Sequence, residues 1–338
     1  MRVFFRFVVF FSFVVILFSC NRNRLKVDIS EIESTVEFVN FGEELFSLPL
    51  IDTLAELQNL RQQHPDFFDL FTYQIIRIGG IEDENFATYM TSFLTDTMIL
   101  NAKSMVEEEF QNLNNTENEI NTAFKYYRYH FPEKKLPTVY TYVSGFNQSV
   151  VTAENIIGIS LDKYLGRDNE YYRLLSTTPE YKIKNMHKDK IPADVAYSWG
   201  MTEFNHITET TTLLDHMIHE GKLMYFTEAL LPETSDSLII GYTGKELEWV
   251  EDNEAEMWMY LVEHKMLYSN KRMDIIRYTN DGPYTSGFPL DSPGKTGVWI
   301  GWQIVRKYMD ENPEISVKQL MKNTDYQEIL NASGYFPE

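Results

Sequence analysis

The 338 residues carry 30 Lys and Arg against 50 Asp and Glu, a formal net charge of −20 at pH 7. A surface this acidic repels the phosphate backbone, which excludes nucleic acid as a partner. Aromatic residues (23 Phe, 21 Tyr, 5 Trp) are enough for a large core, and a single Cys excludes an intrachain disulfide or a cysteine-rich zinc site.

Residues 1–19 read as a lipoprotein signal peptide. Arg2 and Arg6 precede an apolar run from Phe7 to Phe18, and Leu17-Phe18-Ser19-Cys20 places a small residue before the cysteine. This ending resembles a bacterial lipobox, so Cys20 is expected to be lipidated and to become the first residue of the mature chain. The apolar run is short for a membrane span, which needs about 20 residues. Residues 20–27 are then a lipidated tether, and 28–338 a single helix-rich domain attached to the membrane through its N-terminal lipid.

From Ile29 to Phe131 the pattern is helical. Ile29, Ile32, Val36 and Val39 recur at three- and four-residue spacing, and Pro49, His64-Pro65 and Gly79-Gly80 divide the segment into short helices. Beyond Phe131-Pro132 the character changes. Thr138–Val143, Ser149–Thr152 and Asn155–Ile159 are rich in β-branched and aromatic residues and predict a small sheet near 137–160, drawn as a meander. Helices return after Leu165-Gly166. Pro192 opens one to about Phe204, a long one covers Thr210–Leu231, Thr243 caps one from Gly244 to about Met266, and Pro293 begins one through Tyr308. The expected class is mainly α with a small β-sheet, an α+β fold.

Several strings in the second half are distinctive: Tyr142-Val-Ser-Gly-Phe-Asn147, Ile159-Ser-Leu-Asp-Lys-Tyr-Leu-Gly166, Leu213-Leu-Asp-His-Met-Ile-His-Glu-Gly-Lys222, Trp249-Val-Glu-Asp-Asn-Glu254, and the run from Ser292 to Met309. With the lipobox, they resemble the GldB family, gliding-motility lipoproteins of Bacteroidetes. The resemblance implies an envelope protein linked to gliding over surfaces and to type IX protein secretion, with other envelope proteins of that machinery as partners. The basic tether Asn21-Arg22-Asn23-Arg24 lacks the acidic run of surface-exported lipoproteins in that phylum, which favours a periplasm-facing position.

The sharpest chemical candidate is Asp215-His216-Met-Ile-His219-Glu220-Gly221. On a helix, His216 shares a face with both His219 and Glu220, and imidazole with carboxylate suits zinc. A helix-borne zinc protease motif, His-Glu-x-x-His, is nonetheless broken, because Leu223 stands four residues after His219. The order of sheet, helix and Glu-Gly helix resembles zincin-like proteases whose third zinc ligand comes from a later helix. Glu220 would hold that place, yet Ala193–Phe204, the helix that should supply two histidines, has none, and His206 lies just beyond it. A zinc site needs at least three protein ligands. The expectation is therefore a degenerate zincin-like domain with no cofactor, in which His216 and His219 are hydrogen-bonded residues of an amphipathic helix. The alternative is a membrane-tethered zinc hydrolase using His216, His219 and Glu220. A lipoprotein chaperone holding clients for export is a third reading.

Two further features concern packing and partners. Ser292-Pro-Gly-Lys-Thr-Gly297 lacks the spacing of a phosphate loop, while Gly297 and Gly301, four apart, let another element approach the helix closely. The turn-rich loop Asn280–Gly287 and its aromatic neighbours suggest a partner-contacting surface made of Tyr284, Trp299 and Trp302.

Overall fold

The computed structural model describes residues 24–49, 51, 53–174, 178–205 and 211–337. Cys20, the signal segment and His206 lie outside the described residues. The architecture is helical around one four-stranded sheet, as the patterning predicts.

The sheet comprises β1 (Glu37–Val39), β2 (Thr138–Tyr142), β3 (Val150–Ala153) and β4 (Ile156–Ser160) in the order β1-β2-β4-β3. It is not a meander. β2 runs parallel to both β1 and β4, and only β3 and β4 form an antiparallel hairpin. β1 also corrects the helical reading of Ile29–Val39. Its three residues pair with Thr138–Tyr140, a partner far away in sequence. Side-chain alternation sends the two faces of the sheet to different clusters. Val139, Ile157 and Ile159 enter the main helical core. Tyr140, Tyr142 and Ile156 meet an aromatic cluster built from the short N-terminal helices, with Phe41, Phe67, Phe68, Phe71 and Phe86. Phe67 stacks on Tyr140 with ring centroids 4.1 Å apart.

The helices that place the site are α1 (Asn114–His130), α2 (Ile191–Glu203), α3 (Leu213–Leu230), α4 (Gly244–Asp252), α5 (Glu254–Glu263), α6 (Arg272–Thr279), α7 (Thr296–Glu311) and α8 (Tyr326–Ser333). A capping box on Thr212 and Asp215 starts α3, and a second, on Thr243 and Glu246, starts α4. The helix expected over 244–266 breaks at Asn253, which leaves the helical region and separates α4 from α5. α7 begins three residues later than Pro293 suggests. Lys295 adopts a left-handed backbone with φ +47°, because the preceding loop is braced: the buried Thr285 hydroxyl donates to the Pro293 carbonyl at 2.7 Å.

α3 and α7 cross at their glycines. A Cβ on Gly301 would lie 1.7 Å from the Met217 carbonyl oxygen, and one on Gly221 would lie 2.2 Å from the Gly301 carbonyl oxygen. The same crossing carries a partly buried polar network. Trp302 Nε1–H and Arg306 Nε–H both donate to Glu228 at 2.9 Å, Arg306 forks onto Asp236 at 2.6 and 2.7 Å, and its guanidinium lies over the Trp302 ring.

At the end of α1, His130 is half-buried, and its buried Nε2 has no hydrogen-bond partner among the described residues. Burial pushes its imidazole down to about 4. The unfolded chain takes up this proton near pH 6.5, whereas the native state resists it until about pH 4. Stability is therefore full above the unfolded value and falls as pH drops through that window. We expect a loss of about 2 kcal/mol between pH 7 and pH 5 from this residue. Urea unfolding at the two pH values should show the loss in the parent and a smaller one in His130→Leu; equal losses would exclude His130 as the source.

Candidate polar cleft

A cleft of about 1600 Å³ opens between α2, α3, α6, the start of α7 and the loops that follow β2 and β4. Its walls carry five cationic side chains, Lys163, Lys182, Lys190, Arg272 and Lys295, against three carboxylates, Asp194, Glu220 and Asp281. In a chain of net charge −20 this is a local reversal of sign.

The floor comes from α2 and α3. Asp194 and Tyr197, three apart on α2, share its cleft-facing side. The Tyr197 hydroxyl donates to Glu220 Oε2 on α3 at 2.7 Å. Burial pushes the Glu220 carboxyl up, opposed by the Tyr197 hydrogen bond and by Lys295. Asp194 accepts from the Tyr164 hydroxyl at 2.8 Å and pairs with Lys190 at 3.0 Å. Lys190 also donates to the Ile239 carbonyl at 3.2 Å, and burial lowers its pKa. Across the cleft Lys295 pairs with Asp281 at 3.1 Å, and this lysine holds the Asp281 carboxyl below its ordinary value. The left-handed backbone at Lys295 aims its side chain inward; such strain is concentrated at sites with a task.

The structure divides the histidine–glutamate trio. His216 and Glu220, one turn apart, both line the cleft. The His216 Nε2 lies 2.9 Å from the Thr211 hydroxyl, and burial lowers its pKa. His219 faces away from them, 6% exposed, with its Nδ1 3.3 Å from the Tyr326 hydroxyl on α8. No three His, Cys, Asp or Glu side chains among the described residues converge as a metal site. Zinc fits these residues poorly for a positive reason. Where a zincin-like arrangement would bring histidines from α2, this helix brings Tyr197, whose hydroxyl already occupies an oxygen of Glu220.

The aromatic surface expected from Tyr284, Trp299 and Trp302 is only partly present. Tyr284 is 40% exposed, but Trp299 and Trp302 are 3% and 0% exposed. Both indoles are core residues: Trp299 Nε1–H donates to Glu254 at 2.9 Å, as Trp302 does to Glu228. Their helix is buried on most of its circumference between α3, α6 and α8. Sequence reasoning also missed Lys163, Lys190, Asp194, Tyr197, Asp281 and Lys295 as cleft residues. A legible signal existed for one pair, since Lys190 and Asp194 are four apart at the start of a helix.

The distinctive strings meet in space. Asp162, from the Ile159–Gly166 string, accepts backbone N–H from Ser144 at 3.2 Å and Phe146 at 2.6 Å, both in the Tyr142–Asn147 string. The Leu213–Lys222 string meets the Ser292–Met309 run at the Gly221–Gly301 crossing. Both pairs border the cleft. No helix among the described residues is long and apolar enough to cross a membrane. No curated protein and no solved structure matches the chain. Residues 22–337 match the model of the gliding motility protein GldB family, and the chain belongs to that family.

Proposed function

We propose that this gliding-motility protein is a lipid-anchored, periplasm-facing accessory of the gliding and type IX secretion apparatus, and that it acts by binding, without catalysis. Cys20 carries the lipid, and other envelope proteins of the machinery are its partners. The observation that carries the non-catalytic reading is the state of the cleft carboxylates. Glu220 is held by Tyr197, Asp194 by Lys190 and Tyr164, and Asp281 by Lys295. Two of the three are neutralised in ion pairs, and Glu220 belongs to no group of three His, Cys, Asp or Glu side chains that could hold a metal among the described residues, His219 being turned into the core.

The test is a spreading-colony and secreted-protein assay with expression followed by blot. Glu220→Gln keeps shape and an acceptor for Tyr197, so gliding and secretion should stay near the parent level. Loss of a general base typically costs about 10²–10⁴-fold in rate, which would abolish spreading. A Glu220→Gln protein at normal abundance in non-motile cells would replace this reading with the membrane-tethered hydrolase. Cys20→Ser should lose motility in the same assay and leave the detergent phase in a Triton X-114 separation.

A further inference from the structure

The lysines of the cleft are not equivalent. Lys190 and Lys295 are matched by Asp194 and Asp281. Lys163 and Lys182, on the wall formed by the turn after β4 and the segment before α2, have no carboxylate partner within ion-pair distance among the described residues. Lys163 is half-buried, and its Nζ donates only to the Phe146 carbonyl, at a long 3.3 Å. The neighbouring carboxylate of Asp162 is turned into the protein, where two backbone N–H groups and the Ser160 hydroxyl occupy it. Burial lowers the pKa of Lys163; the Asp162 charge opposes this, and the positive charge of Lys182 adds to it. Lys163, half-buried, and Lys182, exposed, thus bring two positive charges to one cavity, and an anion shared between them would be favourable.

We propose that Lys163 and Lys182 form an oxyanion receptor, which takes a carboxylate or phosphate group on a ligand laid along the cleft. The remaining wall suits a body larger than a single small molecule. About 1600 Å³ exceeds the roughly 300–1,000 Å³ of an ordinary small-molecule pocket. Beyond the lysines it offers amide side chains at Asn147 and Asn270 and an apolar strip at Ile275 and Ile276. Arg272 on α6, which also has no ion pair among the described residues, extends the positive field toward the rim. The inference rests on the cleft being a binding site, but its test reads binding directly and makes no use of motility. Failure of the receptor would leave the Glu220→Gln result standing, and the reverse also holds.

The experiment is titration calorimetry on the detergent-solubilised full-length lipoprotein at low salt. The probes are inorganic phosphate, acetate, acetyl-triglycine with a free carboxylate, and the same peptide amidated. We expect saturable binding of the free-acid peptide or of phosphate, weakened as salt rises, and none of the amide. The tighter of the two identifies whether the group is carboxylate or phosphate. Lys163→Gln and Lys182→Gln should each weaken it about tenfold, the loss of one charge-assisted hydrogen bond, while Lys245→Gln on α4, outside the cleft, should not. Lys163→Arg with Lys182→Arg keeps both charges and should retain binding, which separates loss of charge from loss of fold. The proposal is overturned if neither anion saturates by about 10 mM, a threshold near the weakest meaningful affinity. It is equally overturned if the double Gln variant binds as the parent does.

Discussion

Gly301→Leu is expected to prevent this protein from folding, and Gly301→Ala to lower its urea midpoint sharply. The atoms that a Cβ would meet are backbone on the facing helix, the Met217 carbonyl oxygen at 1.7 Å and its carbon at 2.4 Å. No side chain can rotate away, so α3 and α7 must separate. Overpacking typically costs about 1–3 kcal/mol where neighbours can shift. Here separation also opens the partly buried network of Glu228, Arg306, Asp236 and Trp302, which adds to that cost. Gly244→Ala is the matched control. Gly244 opens α4, and a Cβ there would meet nothing within 4 Å. That change should be neutral or stabilising by about 0.4–1 kcal/mol. If Gly301→Ala and Gly244→Ala unfold at the same urea concentration, the close approach of the helices is wrong.

This crossing was legible because its signal is local. Gly297 and Gly301 stand one turn apart on a helix whose period the sequence shows directly. The same helix misled about its tryptophans. Trp299 and Trp302 belong to the core, as do Val298, Ile300, Ile304 and Val305 around them, and a stretch this apolar marks the core-facing part of a helix. β1 was hidden because three residues acquire strand geometry only from β2, about a hundred residues later. The cleft was hidden for a similar reason. Lys163, Lys182, Lys190 and Lys295 come from separate segments, and only the fold sets their charges against one another. His216, His219 and Glu220 show the intermediate case. Helical spacing correctly makes them neighbours, but one turn of α3 spans both a cleft and a core, and spacing alone does not say where the boundary falls.

Asp162→Ala is expected to be the second severe change, and Asp162→Asn a mild one. The carboxylate is fully buried and organises the loop after β2. Its Oδ2 accepts from the backbone of Ser144 and Phe146, and its Oδ1 lies 2.5 Å from the Ser160 hydroxyl, which also reaches Ser144 Oγ at 2.7 Å. Within that loop Gly145 and Phe146 are both left-handed, with φ +73° and +66°. A left-handed phenylalanine costs about 1–3 kcal/mol and persists only where its surroundings hold it. Alanine at 162 orphans two buried N–H groups at about 1–3 kcal/mol each and removes what holds the loop. Asparagine keeps the accepting oxygen at the same place and offers its amide to Ser160, so most of the stability should survive. Charge adds a pH signature. Burial pushes the Asp162 carboxyl up despite its hydrogen bonds. A raised carboxyl contributes stability below its unfolded value and loses it as pH rises through the folded one. The parent should therefore lose stability relative to Asp162→Asn as pH rises through that window. The loop also sets the cleft wall, since Lys163 bonds the Phe146 carbonyl and Phe146 and Asn147 face the cavity. Urea unfolding of both variants across pH, with the anion titration beside it, checks the account. Equal and large losses in Asn and Ala would mean that the negative charge, and not an oxygen in the right place, holds the loop.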